Sequence, residues 1–143
     1  MKAVARTFVL DASVALSWCF EDEASDFAEG ILDLLRTGSE AVAPAIWPLE
    51  VTNALLIAEW SKRISEAKVM SQLRDIRRLP VLIEPIDLDR AFDQILSVAR
   101  QRHLTEYDAA YLELALWRAL PLATLDKQLR RAARQAGVTL MSI

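Results

Sequence analysis

Short apolar runs separated by amphipathic helical stretches constrain this chain more than any other feature. Thr7–Leu10 is a brief β-prone run ending at Asp11, and Ala41–Pro44 is a second. Leu122–Leu125 reads as a third strand, and Val138–Met141, after Gly137, as a fourth. Between them the apolar residues recur at the helical period. Ser25 opens a helix with Phe27, Ile31, Leu34 and Leu35 on one face, stopped by Gly38. Trp47, Val51, Ala54, Leu55 and Ala58 outline another, with Pro48 tolerated in its first turn. Ser65 caps a helix that Pro80 ends, and Leu88, Ala91, Phe92, Ile95, Leu96 and Ala99 mark the next. Ala109–Trp117 contains a single charge, Glu113, so that helix should be largely enclosed; Asp126–Gln135 forms the last one. Strands alternating with helices pair in parallel through right-handed crossovers. The expected fold class is therefore α/β, with helices on both faces of a small parallel sheet.

Composition narrows the function classes. At 143 residues the chain fits one domain, 1–143. One cysteine and one histidine exclude a disulfide scaffold and a structural zinc site, and three glycines leave no phosphate-cradling loop. Thr7 to Phe20, preceded by Lys2 and Arg6, imitates a signal peptide, but Asp11 interrupts it and no small-residue cleavage site follows. No run approaches the ~18 apolar residues of a membrane span, so a cytoplasmic protein is expected. The net charge of −3 conceals an asymmetry. Residues 1–60 hold three Lys/Arg against ten Asp/Glu, whereas residues 61–143 hold fourteen against ten.

Parallel α/β sheets place their chemistry outside the carboxyl ends of the strands. Asp11 directly follows the first strand and Asp126 the third expected one, so both carboxylates should project from one rim. Glu50 lies in the first turn of a helix that follows a strand, and Asp108 three residues after Thr105. Each acid has a structural alternative: Asp11 and Asp126 as N-caps, Thr105 and Asp108 as a capping box, Glu50 as a charge facing the helix dipole. Carboxylates that converge repel by roughly 4 kcal/mol per pair at 4 Å and an effective dielectric near 20. Shared protons or a hard divalent cation would be needed to hold such a cluster, and Mg²⁺ or Mn²⁺ suits oxygen ligands.

Val9-Leu10-Asp11-Ala12-Ser13, Glu50-Val51-Thr52-Asn53, Leu104-Thr105-Glu106-Tyr107-Asp108-Ala109-Ala110-Tyr111 and Ala123-Thr124-Leu125-Asp126 resemble the four acidic motifs of PIN-domain ribonucleases. More narrowly, the set is similar to the VapC-type toxins of toxin–antitoxin pairs. The resemblance implies a three-layer α/β/α sandwich whose acidic pocket binds Mg²⁺ or Mn²⁺ and hydrolyses RNA. It implies Asp11, Glu50, Asp108 and Asp126 as the metal-binding catalytic set, with Ser13 and Asn53 as polar supports; Thr105 and Thr124, which flank the acids, read either as further supports or as helix caps, capping being favoured. It further implies an RNA substrate (tRNA and rRNA are the natural candidates), a VapB-type antitoxin partner and a homodimer. The alternative is a catalytically inactive PIN-like module that binds RNA or protein. A haloacid-type phosphatase is disfavoured because Ser13 stands where a second Asp is needed.

Beyond the acids, Lys127, Arg130, Arg131 and Arg134 lie on the last helix, with no acid among residues 127–135. They read either as phosphate-binding groups or as a solvated face; Arg74, Arg77 and Arg78 form a second basic group. Of Trp18, Trp47, Trp60 and Trp117, most are expected in the core and Trp60 facing a partner. His103 reads as a helix-end residue and Glu113 as a helix-surface charge.

Overall fold

A computed structural model describes residues 5–142; Lys2 lies outside them. The central sheet has four parallel strands, β1 (Thr7–Leu10), β2 (Glu40–Pro44), β3 (Val81–Glu84) and β4 (Leu122–Ala123), in the order β3-β2-β1-β4. Phe8, Val9 and Leu10 of the interior strand β1 are fully buried, as a strand covered on both faces requires. Between β1 and β2 lie α1 (Ala12–Cys19), a 3₁₀ turn (Glu21–Glu23) and α2 (Asp26–Arg36). Next come α3 (Trp47–Trp60) and α4 (Glu66–Arg77) before β3. A π-helical turn (Arg90–Ile95) then leads into α5 (Leu96–Arg102), followed by α6 (Glu106–Arg118) and, after β4, α7 (Lys127–Gln135).

Right-handed crossovers carry α1–α4 over one face as the chain steps from β1 to β3. The return to β4 reverses the direction of travel and lays α6 on the opposite face, packed across β1, β2 and β4. The result is the expected α/β/α sandwich. Several helix starts are fixed locally: the side chains of Ser25, Ser65 and Thr105 accept hydrogen bonds from the N–H groups of Ala28, Lys68 and Asp108.

Four local expectations need correction. The apolar stretch after Asp11 forms α1, which its uniform hydrophobicity did not announce. Val81–Glu84, assigned no element from the sequence, is the edge strand β3, with Leu82 59% exposed. The strand expected at Leu122–Leu125 stops at Ala123, because the Leu125 N–H donates to Ser13 Oγ at 3.0 Å instead of joining a ladder. Val138–Met141 is not a strand: only Leu140 forms a bridge, to Leu122, although the Leu122 N–H and C=O bond to Thr139 and Met141. Trp60 is 71% exposed, in keeping with its expected place outside the core, whereas Trp117, at 57%, is more exposed than core packing predicts.

Candidate functional site

The strand order places a topological switch beside β1, where the chain leaves toward β2 on one side and returns as β4 on the other. Crevices at such points open beyond the carboxyl ends of the strands. Asp11 lies there, 5% exposed, and its backbone N–H donates to Ala123 C=O at 3.0 Å, tying it to β4. It precedes α1, yet its side chain caps nothing. Instead Oδ2 accepts two hydrogen bonds, from Ser13 Oγ at 2.6 Å and Thr124 Oγ1 at 2.7 Å. Oδ1 is outside that pair of bonds. Thr124 Oγ1 also accepts from the Asp126 N–H at 3.0 Å, so one buried hydroxyl links two of the acids.

Asp126 lies beyond the end of β4 and does cap α7, its Oδ2 accepting from the Leu129 N–H at 2.8 Å. Its structural alternative is thus real, and a carboxylate with two oxygens can cap with one and present the other. Thr105 caps α6, which sets Asp108 in that helix's first turn. Glu50 occupies the first turn of α3, where Tyr111 of α6 donates its hydroxyl to Oε1 at 2.6 Å. Tyr111 is fully buried and was given no role from the sequence. The available signal was that a buried phenol needs an acceptor, and position 111 lies three residues beyond Asp108 on an enclosed helix. Asn53, one turn along α3 from Glu50, is exposed. With Glu50, Thr105 and Asp108 it lines a groove of about 850 Å³ between α3, α4 and the head of α6.

Electrostatics join the two groups of acids. Burial pushes the Asp11 carboxyl above its ordinary range, the bonds from Ser13 and Thr124 oppose the rise, and the charge of Asp126 adds to it. Burial likewise raises Glu50, opposed by the Tyr111 hydroxyl and reinforced by Asp11 and Asp108. Asp108 is raised by burial and then by Asp11 and Asp126, with its bond to Thr105 opposing. Asp11 is the hub, felt by Glu50 and by Asp108. Among the described residues, no three His, Cys, Asp or Glu side chains form a ready-made ligand set as they stand. The donor chemistry nonetheless fits a hard cation: carboxylate oxygens without thiolate or imidazole, one buried and oriented by two hydroxyls.

Glu113 departs from its expected place on a helix surface. It is buried, 6% exposed, and pairs with Arg90 of the π-helical turn at 2.5 Å. The Arg90 guanidinium also stacks 4.7 Å from the Trp117 ring.

Fold and site together define a doubly wound α/β domain with acidic side chains at its switch point. The chain belongs to the PIN domain family, whose model matches residues 8–135. No curated protein sequence matches it. Among solved structures it is similar to PAE2754 from Pyrobaculum aerophilum, with 24% identity over 92% of this chain and 83% of that one, at a TM-score of 0.68. It also resembles a chain of VapBC2 from Rickettsia felis, solved bound to a DNA fragment from their promoter: 14% identity, 94% and 97% coverage, TM-score 0.66. A toxin–antitoxin complex from Klebsiella pneumoniae matches at 15% identity, 83% and 86% coverage, and a TM-score of 0.55. At these identities the similarity is one of fold. No helix among the described residues is long and apolar enough to cross a membrane.

Proposed function

We propose that the chain, as a single domain over residues 1–143, is a metal-dependent endoribonuclease toxin of the VapC type, neutralised by a cognate antitoxin. The observation that carries this reading is the buried Asp11, held by two hydroxyls and electrostatically coupled to Glu50, Asp108 and Asp126 at the switch point. PIN domains are in general metal-dependent nucleases, and structures of similar fold include a toxin–antitoxin complex. A VapB-type antitoxin, a homodimeric assembly and a cytoplasmic location belong to the same proposal.

In this reading Asp11, Glu50, Asp108 and Asp126 hold Mg²⁺ or Mn²⁺, which when bound supplies a water of lowered pKa and offsets charge building on the phosphate. The residues of the chain do the rest. Ser13 and Thr124 fix the Asp11 carboxylate through Oδ2, and that carboxylate would be one of the groups holding the ion. Tyr111 holds Oε1 of Glu50, and Thr105 sets the turn that carries Asp108. A carboxylate of the cluster would take the proton of the attacking water, and the leaving 3′ oxygen would be protonated from solvent. Products with 5′-phosphate and 3′-hydroxyl ends follow. Asn53, one turn along α3 from Glu50 and on the same groove wall, serves as a polar support of the acids.

The test combines Mn²⁺ titration of the purified protein with cleavage of cellular tRNA and rRNA. Asp11→Asn and Asp108→Asn should each weaken Mn²⁺ binding and slow cleavage by about 10²–10⁴-fold, the span for a positioned acid–base group. RNA bound but never cut by the wild type in either metal would instead favour the inactive binding module. Metal binding indifferent to both substitutions would remove the acids from the proposed site.

A further inference from the structure

The nuclease reading uses the acid at the head of α7 but not the cations along it. Lys127, Arg130, Arg131 and Arg134 share one face of the helix, while Leu129, Ala132 and Ala133 are buried on the other. The four line a surface hollow of about 400 Å³, completed by Gln135. No carboxylate interrupts residues 127–135. Elsewhere three guanidiniums are ion-paired, Arg63 with Asp22 and Glu23, Arg90 with Glu113 and Arg118 with Glu84. Among the described residues no salt bridge involves the four α7 cations.

Arg130 ties this face to the acids. Its Nη1 donates at 3.0 Å to the carbonyl of Thr124, the residue whose hydroxyl binds Asp11. The acidic cluster must receive a phosphodiester that its own charge repels, so cations immediately beside it have an electrostatic task. From Lys127 to Arg134 the face runs for about 10 Å at ~1.5 Å per residue.

We infer that the basic face of α7 is a backbone-binding site for RNA, holding successive phosphates of the strand that enters the acidic cluster. The choice of RNA over an acidic protein rests on the nuclease reading. Phosphate binding of this kind sets position without reading sequence.

The experiment measures binding of a labelled single-stranded RNA of mixed sequence in EDTA, by fluorescence anisotropy across a range of KCl concentrations. Arg131→Ala/Arg134→Ala should weaken binding roughly tenfold at low salt and flatten the log K against log salt slope by about 1.4, at ~0.7 for each phosphate no longer neutralised. Arg131→Lys/Arg134→Lys should retain both affinity and slope, which separates lost charge from a lost fold. Arg74→Ala/Arg77→Ala on α4 should match the wild type. An unchanged slope in the α7 alanine variant, or an equal loss in the α4 variant, overturns the inference. So does polyglutamate binding more tightly than RNA and losing affinity in the same α7 variant, which points to an acidic protein partner. A normal α7-dependent slope with no cleavage in Mg²⁺ or Mn²⁺ sinks the nuclease reading while upholding the RNA site. Cleavage with an α7-independent slope does the reverse.

Discussion

Tyr111 and Thr124 matter because a carboxylate is useful only if it points one way. Each donates to a single oxygen of its acid, Oε1 of Glu50 and Oδ2 of Asp11. The Tyr111 phenol is pushed well above its ordinary range by burial and by the Glu50 charge, so it remains a donor at every working pH. Tyr111→Phe keeps the ring and removes only that bond. A hydrogen bond to a charged group contributes about 1.5–3 kcal/mol, so cleavage should fall roughly tenfold or more. As a positioning effect it should appear in kcat at saturating RNA, with the weakened Mn²⁺ affinity rescued by higher metal concentration. Unchanged kcat and metal affinity would reduce Tyr111 to packing. The acids were legible in the sequence because they follow strands and open helices. Their orienting partners were less so, since Thr124 and Tyr111 are 113 and 61 residues away from the carboxylates they bind.

At the scale of elements, α6 combines two tasks. Its first turn carries Asp108, Tyr111 follows on the enclosed side, and Glu113 then anchors the π-helical turn through Arg90. A π turn is a local departure from regular helix geometry, and here it carries the cation that Glu113 needs. The pair is enclosed, with side chains 13% and 8% exposed, so removing one partner leaves a buried charge. Glu113→Ala should destabilise the fold by about 3–5 kcal/mol. Adding Arg90→Met should recover much of that loss, and urea unfolding of the single and double variants measures both. A single variant as stable as the wild type would mean water reaches Arg90 freely. Periodicity could place Glu113 on a helix but not choose its face, because α6 is apolar nearly all round. The cation came from a segment 23 residues earlier, a pairing no local pattern records.

The molecule as a whole carries an electrostatic penalty at its switch point. Asp11, Glu50 and Asp108 all have folded pKa values raised by burial and then by neighbouring carboxylates, Asp126 acting on Asp11 and Asp11 acting on the other two. The sign follows directly: the unfolded chain ionises these groups first, from about pH 4 upward. Stability is therefore fully present below those unfolded values and is lost as pH rises through the raised folded ones. Thermal unfolding in EDTA should show a lower Tm at pH 7.5 than at pH 5. Asp11→Asn should raise Tm at pH 7.5 by a few degrees, since the amide oxygen still accepts from Ser13 and Thr124 without a buried charge. Mn²⁺ should raise the wild-type Tm at pH 7.5 and leave that variant nearly unmoved. A metal-independent Tm that rises with pH would contradict the whole electrostatic account.

By itself the sequence determined the alternation of strand and helix, the helix starts capped by Ser25, Ser65 and Thr105, and the acids at strand and helix ends. These are local properties: period, capping side chains and the direction in which a chain leaves a strand. Only the tertiary structure decided that β4 stops at Ala123, that Val81–Glu84 closes the sheet's edge, and which hydroxyl holds which carboxylate. Ser13 takes the Leu125 N–H that a longer strand would have used, and β3 exists because β2 offers it a ladder. Such bonds join residues far apart in the chain, so their energy enters only when the sheet has assembled and cannot be read from any window of neighbouring residues.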